Sequence, residues 1–152
     1  MPENRQRNPE MPKARETKAI DEKLPIFEYQ AEIKEKLVES PTLLLVGETG
    51  SGKTTQMPFF LMEALPEARI AITQPRRLAV RSVSQRVASL SGTRLGQEIG
   101  YKIRHDDKTA EGTKVTFMTD GITLRDFHED PLLVKYDVIV VDEAHERSVN
   151  ID

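Results

Sequence analysis

The sequence predicts an α/β domain with a mostly parallel sheet between layers of helices, and three observations carry that reading. Short apolar runs alternate along the chain with segments of helical periodicity. One such run, Leu43-Leu44-Leu45-Val46, leads into Gly47-Glu48-Thr49-Gly50-Ser51-Gly52-Lys53-Thr54, a match to G-x-x-x-x-G-K-[ST]. Another, Tyr136-Asp137-Val138-Ile139-Val140-Val141, is continuous enough to be buried on both faces of a parallel sheet, and it ends in Asp142-Glu143.

Length and composition set the bounds. The chain has 152 residues, the size of about one domain. Its net charge of −3 advertises no polyanion partner overall, so a nucleic-acid contact must come from local clusters. With no cysteine, disulfides and thiolate metal sites are excluded, which fits a reducing compartment. No apolar run approaches the roughly 20 residues that span a bilayer, and the N-terminus has no hydrophobic signal core. The chain reads as a soluble intracellular protein with no membrane partner.

Residues 1 to about 24 carry Pro2, Pro9 and Pro12, mixed charge and few apolar side chains, and are expected to form a disordered arm. Its Arg5, Arg7, Lys13, Arg15 and Lys18 are diluted by acids, so a solvated tail is the better reading than a nucleic-acid arm. From Ile26 the pattern changes: Ile26, Tyr29, Ile33 and Leu37 recur at helical spacing, with Glu32 and Lys36 as an i,i+4 pair, and Ser40-Pro41 ends the helix. Leu43 to Val46 is then the first strand. The helix after the glycine-rich loop begins near Lys53, with Pro58 about one turn in, where a missing N–H costs little.

Arg69 to Thr73 reads as a second buried strand, followed by the loop Gln74-Pro75-Arg76-Arg77 and a helix from about Leu78 to Leu90. Val80, Val83, Val87 and Leu90 share one face of that helix, and Ser91-Gly92 closes it. Glu98 to Arg104 alternates as a strand, Asp106 to Gly112 is a polar turn, and Lys114 to Met118 is another strand. Asp120 is placed to cap a short helix through Phe127.

The chemistry follows from the loop. Its glycines allow dihedrals that turn several N–H groups toward one point, and the helix that starts at Lys53 adds its positive dipole end. The phosphate-binding set is therefore Gly47, Glu48, Thr49, Gly50, Ser51, Gly52, Lys53, Thr54 and Thr55, with Lys53 reaching the β- and γ-phosphates and the Thr54 hydroxyl on Mg²⁺. Such a loop lacks a carboxylate for the metal and a group for the attacking water. Asp142 suits the first, normally through a coordinated water, and Glu143 the second. The expected ligand is a nucleoside triphosphate, ATP, with Mg²⁺ held on the side of Thr54, Asp142 and Glu143.

At this point a resemblance becomes plain. Gly47 to Gln56, Thr73-Gln74-Pro75-Arg76-Arg77, Thr119-Asp120-Gly121 and Asp142-Glu143-Ala144-His145-Glu146-Arg147-Ser148 follow one another in the order of motifs I, Ia, Ib and II of the DEAH-box RNA helicases, a superfamily 2 group. Ile99-Gly100-Tyr101-Lys102-Ile103-Arg104 is also similar to a family segment, and the match runs from about residue 24 to the end. Thr123 departs from the pattern, standing where the family usually has an apolar residue. The resemblance implies a RecA-like phosphate-loop NTPase fold and NTP-dependent movement along, and unwinding of, RNA or remodelling of ribonucleoprotein. His145 is then a catalytic-site residue that couples the nucleotide to a second RecA-like domain, beside Lys53 and Glu143. Arg76, Arg77, Thr119, Asp120 and Gly121 lie on the RNA side, where arginines and backbone N–H groups clamp phosphates without base readout. An arginine on the helix after motif Ia stacks on the nucleobase; Arg86 is the candidate and Arg81 the alternative. The family also implies a protein activator of the G-patch type or another kind, a monomeric chain, and a compartment that is cytoplasmic in a bacterium and nuclear or cytoplasmic in a eukaryote.

The sequence stops at Asp152, before a Ser-Ala-Thr motif III or a second domain. Residues 25–152 are therefore expected to be an incomplete first RecA-like domain that ends after the DEAH motif. The resemblance puts the strand leading into motif III between the phosphate-loop strand and the Asp142 strand, so both of these are expected to expose unpaired edges. Arginines from a second domain stabilise the transferring phosphoryl group, and loss of one costs about 10³–10⁵ in rate. Weak ATP–Mg²⁺ binding and negligible turnover follow for the isolated polypeptide. Against the helicase reading stands a non-catalytic one, a nucleotide-binding remnant or partner-binding product of a truncated gene.

Overall fold

Residues 23–146 are described by a computed structural model, in which five strands form one sheet and helices pack on it. A 3-10 turn, Pro25–Tyr29, runs into α1, Gln30–Glu39, which stops at Ser40 in extended conformation ahead of Pro41. The remaining elements are α2 (Lys53–Ala64), β1 (Ile70–Gln74), α3 (Arg77–Ser91), β2 (Ile99–Ile103), β3 (Asp106–Lys108), β4 (Val115–Thr119), α4 (Asp120–Glu129) and β5 (Val138–Val141). The sheet order is β3-β2-β4-β1-β5, and every pairing is parallel except β2 with β3. The α/β class and the mostly parallel sheet are those expected.

The central strands β1 and β4 are apolar because they are covered on both faces: Ile70, Ile72, Val115 and Phe117 pack against Phe59, Leu61, Val80 and Val87 of α2 and α3. On the opposite face Ala71 and Met118 meet Ile122 of α4. A third cluster joins Ile26 and Ile33 to Phe60, with Leu24 packed beside them. Residues 1–22 of the expected N-terminal arm lie outside the described residues.

Gly92 ends α3 at φ 70, its N–H shared between the carbonyls of Ala88 and Ser89. Thr123 is accommodated in α4 by donating its hydroxyl back to the Thr119 carbonyl at 3.4 Å.

Several expectations are corrected. The run Leu43–Val46 is not part of the sheet; it keeps the side-chain alternation of a strand, with Leu43 and Leu45 packed on the Ile26 cluster and Leu44 and Val46 each 84% exposed. β1 is flanked by β4 and β5, and no strand among the described residues lies between β5 and the run to pair with it, as expected for the two unpaired edges. β5 is not buried on both faces: it is an edge strand, with Ile139 and Val141 exposed. The polar stretch after His105 contains a strand, β3, because His105 takes φ 65 and turns the chain back antiparallel on β2. Asp120 is the first residue of α4 and not its cap; Thr119 holds the cap position without a side-chain hydrogen bond. Pro58 is the sixth residue of α2, beyond the first turn, so the Thr54 carbonyl loses its usual helical donor, against which stands burial of the Pro58 ring. Lys36 pairs with Glu39 at 3.5 Å, not with Glu32.

Candidate functional site

The glycine-rich loop is bent by Gly50 at φ 81 and Gly52 at φ 96, conformations that other residues adopt only under strain. It is also buttressed from the N-terminal side. The Ile26 N–H donates to the Ser51 carbonyl at 3.1 Å, and a Cβ on Gly52 would lie 2.9 Å from Leu24 Cδ1 and 3.0 Å from Ile26 Cγ2. Lys53 opens α2, and its ammonium folds back over the loop, donating to the Gly47 carbonyl at 2.6 Å, the Glu48 carbonyl at 2.7 Å and Ser51 Oγ at 3.1 Å. A single cation thus ties the two ends of the cradle together at the N-terminus of a helix. Thr55 turns its hydroxyl to the Gly52 carbonyl at 3.4 Å.

The acidic strand end meets this loop directly. β1 and β5 run in register with Thr73 opposite Val141, and the Asp142 N–H donates to the Thr73 carbonyl at 3.2 Å, so Asp142 comes off the sheet beside Gln74. Its carboxylate is held by three donors from three segments: Thr54 Oγ1 to Oδ2 at 2.7 Å, Gln74 Nε2 to the same oxygen, and the Glu143 N–H to Oδ1 at 2.9 Å. Glu143 then takes φ 53, a left-handed conformation for a residue with a side chain. Its carboxylate does not join the Thr54–Asp142 pair; His145 Nε2 lies 3.2 Å from Glu143 Oε2 instead, with the histidine exposed.

The arrangement fits a divalent cation with hard oxygen ligands. A hydroxyl that donates its proton to a carboxylate keeps its lone pairs available, and Thr54 and Asp142 place both kinds of oxygen at one point.

A family model described as DEAD/DEAH box helicase matches residues 27–151. The chain belongs to that family. Among curated relatives it is 46% identical over 134 residues to the ATP-dependent RNA helicase HrpA of Borreliella burgdorferi, covering 87% of this chain and 16% of that protein. It is 47% identical over 137 residues to the ATP-dependent RNA helicase DEAH13 of Arabidopsis thaliana, covering 85% and 11%. With the probable ATP-dependent RNA helicase DHX35 homolog of Caenorhabditis elegans it shares 50% identity over 133 residues, covering 86% and 18%. The chain therefore spans less than a fifth of the length of these relatives.

In this DEAD/DEAH box domain the residues expected on the RNA side lie at the C-terminal ends of neighbouring strands. Gln74 and Thr119 are opposite one another at the ends of β1 and β4, so Arg76, Arg77, Asp120 and Gly121 emerge from one edge of the sheet, the edge from which Asp142 also emerges. Arg76 pairs with Glu146 at 3.2 Å, and Arg77 is exposed at the start of α3. Asp120 is buried, with only 7% of its surface exposed, and points to a structural part at the α4 start. The two stacking candidates separate: Arg81 is bound to Asp106 at 2.7 Å, whereas Arg86 is exposed on α3 with no hydrogen bond or ion pair among the described residues.

Two participants were not legible as such. Gln74 lies in a motif, yet nothing in the sequence reveals that its amide reaches Asp142, 68 residues on. Glu146 is a further acid in an acidic run until Arg76 is seen beside it. Among the described residues no helix is long and apolar enough to cross a membrane.

Proposed function

We propose that the chain is the nucleotide-binding part of the first RecA-like domain of an ATP-dependent RNA helicase, acting on RNA or ribonucleoprotein. The observation that carries the reading is the 2.7 Å contact between Thr54 and Asp142, which joins the phosphate-loop and acidic motifs at one point in a family whose cited relatives are ATP-dependent RNA helicases by name. Gly47 to Thr55 receive the phosphates, Lys53 neutralises the β- and γ-phosphoryl oxygens, and Thr54 and Asp142 hold Mg²⁺. Bound there, Mg²⁺ supplies charge neutralisation and orientation of the phosphates.

In the structure Lys53 is engaged by loop carbonyls and a serine hydroxyl, so phosphate binding exchanges those three hydrogen bonds for charge-assisted ones. Glu143 orients or deprotonates the attacking water, and His145, 3.2 Å away and exposed, relays the state of that carboxylate to a second domain. Arg86, without a partner among the described residues where Arg81 has one, stacks on the base with little discrimination between nucleotides. Arg76 and Arg77 clamp RNA phosphates, with Thr119 and Gly121 lending backbone contacts. A protein activator, of G-patch type or another, is the expected protein partner.

The reading is tested by titrating mant-ATP and a single-stranded RNA against the same chain. Both are expected to bind, with Lys53→Ala losing the nucleotide and keeping the RNA. Nucleotide binding without saturable RNA binding would leave an NTP-binding domain and contradict the RNA half.

A further inference from the structure

Gln74 is 3% exposed at the end of the central strand β1. An amide in that position must be hydrogen-bonded to offset its desolvation, and an apolar residue would fill the same space without that requirement. Its Nε2 donates to Asp142 Oδ2, the oxygen that also accepts from Thr54. Three donors surround the Asp142 carboxylate, and they differ in how firmly they are placed. The Thr54 hydroxyl sits at the start of α2, against the loop that must rearrange around a phosphate, and the Glu143 N–H belongs to a residue at φ 53 beyond the end of β5. Gln74 alone ends an internal strand of the sheet: it is in register with Thr119 of β4, and the β5 pairing reaches its neighbour Thr73.

We infer that Gln74 is a positioning residue for the metal-side carboxylate: its buried amide fixes the rotamer of Asp142, so that the Oδ2 edge stays directed at Thr54 whether or not the loop is occupied. The inference rests on the nucleotide reading above and extends it to a residue that touches neither phosphate nor metal. Without the amide, Asp142 keeps its charge and its place in the chain, but its carboxylate is free to turn toward solvent. Metal-assisted binding then weakens, while binding of the nucleotide alone, which depends on the loop and Lys53, does not.

The test titrates mant-ATP into the wild-type chain, Gln74→Met and Gln74→Leu, in Mg²⁺ and in EDTA, with thermal melts alongside. Gln74→Met keeps length and volume and removes the donor; Gln74→Leu removes it with a branched side chain of different shape, and it decides the matter if the methionine variant does not fold. The expected result is an unchanged affinity in EDTA and a loss of about ten-fold or more in the Mg²⁺ enhancement, the effect of removing a hydrogen bond to a charged acceptor. A wild-type Mg²⁺ enhancement in a folded variant, or an equal loss in Mg²⁺ and EDTA, overturns the assignment and leaves the nucleotide reading intact. A wild-type chain that does not bind mant-ATP overturns the nucleotide reading itself, and the assignment with it.

Discussion

Thr54 and Asp142, 88 residues apart in the chain, share a hydrogen bond of 2.7 Å from the threonine hydroxyl to the aspartate Oδ2. One residue sits in the first turn of the helix behind the glycine-rich loop, and the other leaves the end of an edge strand whose register with β1 places it beside Gln74. The contact is local in space and remote in sequence, which is why it carries more weight than either motif alone.

The loop depends on its support as well as on its own glycines. Gly52→Ala puts a methyl at φ 96 and drives it to within about 3 Å of the Leu24 and Ile26 side chains. The expected loss is about 1–3 kcal/mol, the range for a residue held in a disfavoured backbone region, together with weakened nucleotide binding. Urea melts and mant-ATP titration check both. Retention of full stability would show that the Leu24–Ile26 turn is not packed on the loop as described.

Acid stability should report two carboxylates. The Tyr101 hydroxyl, followed by Arg81, holds Asp106 below its ordinary value of 3.8, and the backbone N–H of Arg69, followed by its guanidinium, does the same for Asp137. A lowered folded value means that the unfolded chain binds protons first. The stabilisation is therefore present above the ordinary value and is lost as pH falls through the folded one. Asp137→Asn should cost a constant amount near neutrality, and the difference from wild type should shrink as pH drops below 3.8. Melting curves across that range check it; a difference that grows toward acid contradicts the sign.

RNA binding should be electrostatic and carried in part by Arg76 and Arg77. Removing either should lower the salt slope for a single strand by about 0.7 for each phosphate that the arginine neutralises in the wild-type chain. Arg76 is already paired with Glu146 at 3.2 Å, so an incoming phosphate must compete with that carboxylate. Glu146→Gln is expected to strengthen binding and Arg76→Ala to weaken it. Anisotropy titrations at several salt concentrations read both, and an unchanged slope in Arg76→Ala would remove it from the interface.

Two of the exposed apolar segments bear on solubility. Ile139 and Val141 on β5, and Leu44 and Val46 before the loop, present apolar surface beside backbone groups without ladder partners among the described residues. Ile139→Lys places a charge on that edge, an established block to edge pairing. It should raise the aggregation onset in light scattering while leaving the melting temperature nearly unchanged. An identical onset would mean that aggregation proceeds elsewhere.

What the sequence disclosed and what it withheld divide along physical lines. Gly47 to Thr54 was legible because backbone geometry, a cation and a helix start are all local requirements. The α3 boundaries were legible for a similar reason, with Val80, Val87 and Leu90 on one face and Gly92 as a stop. Pairing was not local. Four apolar residues at Leu43–Val46 look like any buried strand, and only the strand order, in which no strand of the described residues pairs with them, shows that they stand outside the sheet. Asp106-Asp107-Lys108 has poor strand propensity and forms β3 because the turn at His105 lays it against β2. The amide of Gln74 on Asp142 likewise appears only once two strands are placed side by side.

The most direct measurement is mant-ATP binding with and without Mg²⁺, comparing the wild-type chain with Lys53→Ala. A common site for the loop and the acidic strand end predicts saturable binding that Mg²⁺ strengthens and Lys53→Ala abolishes. Binding that ignores both the metal and the lysine would contradict it.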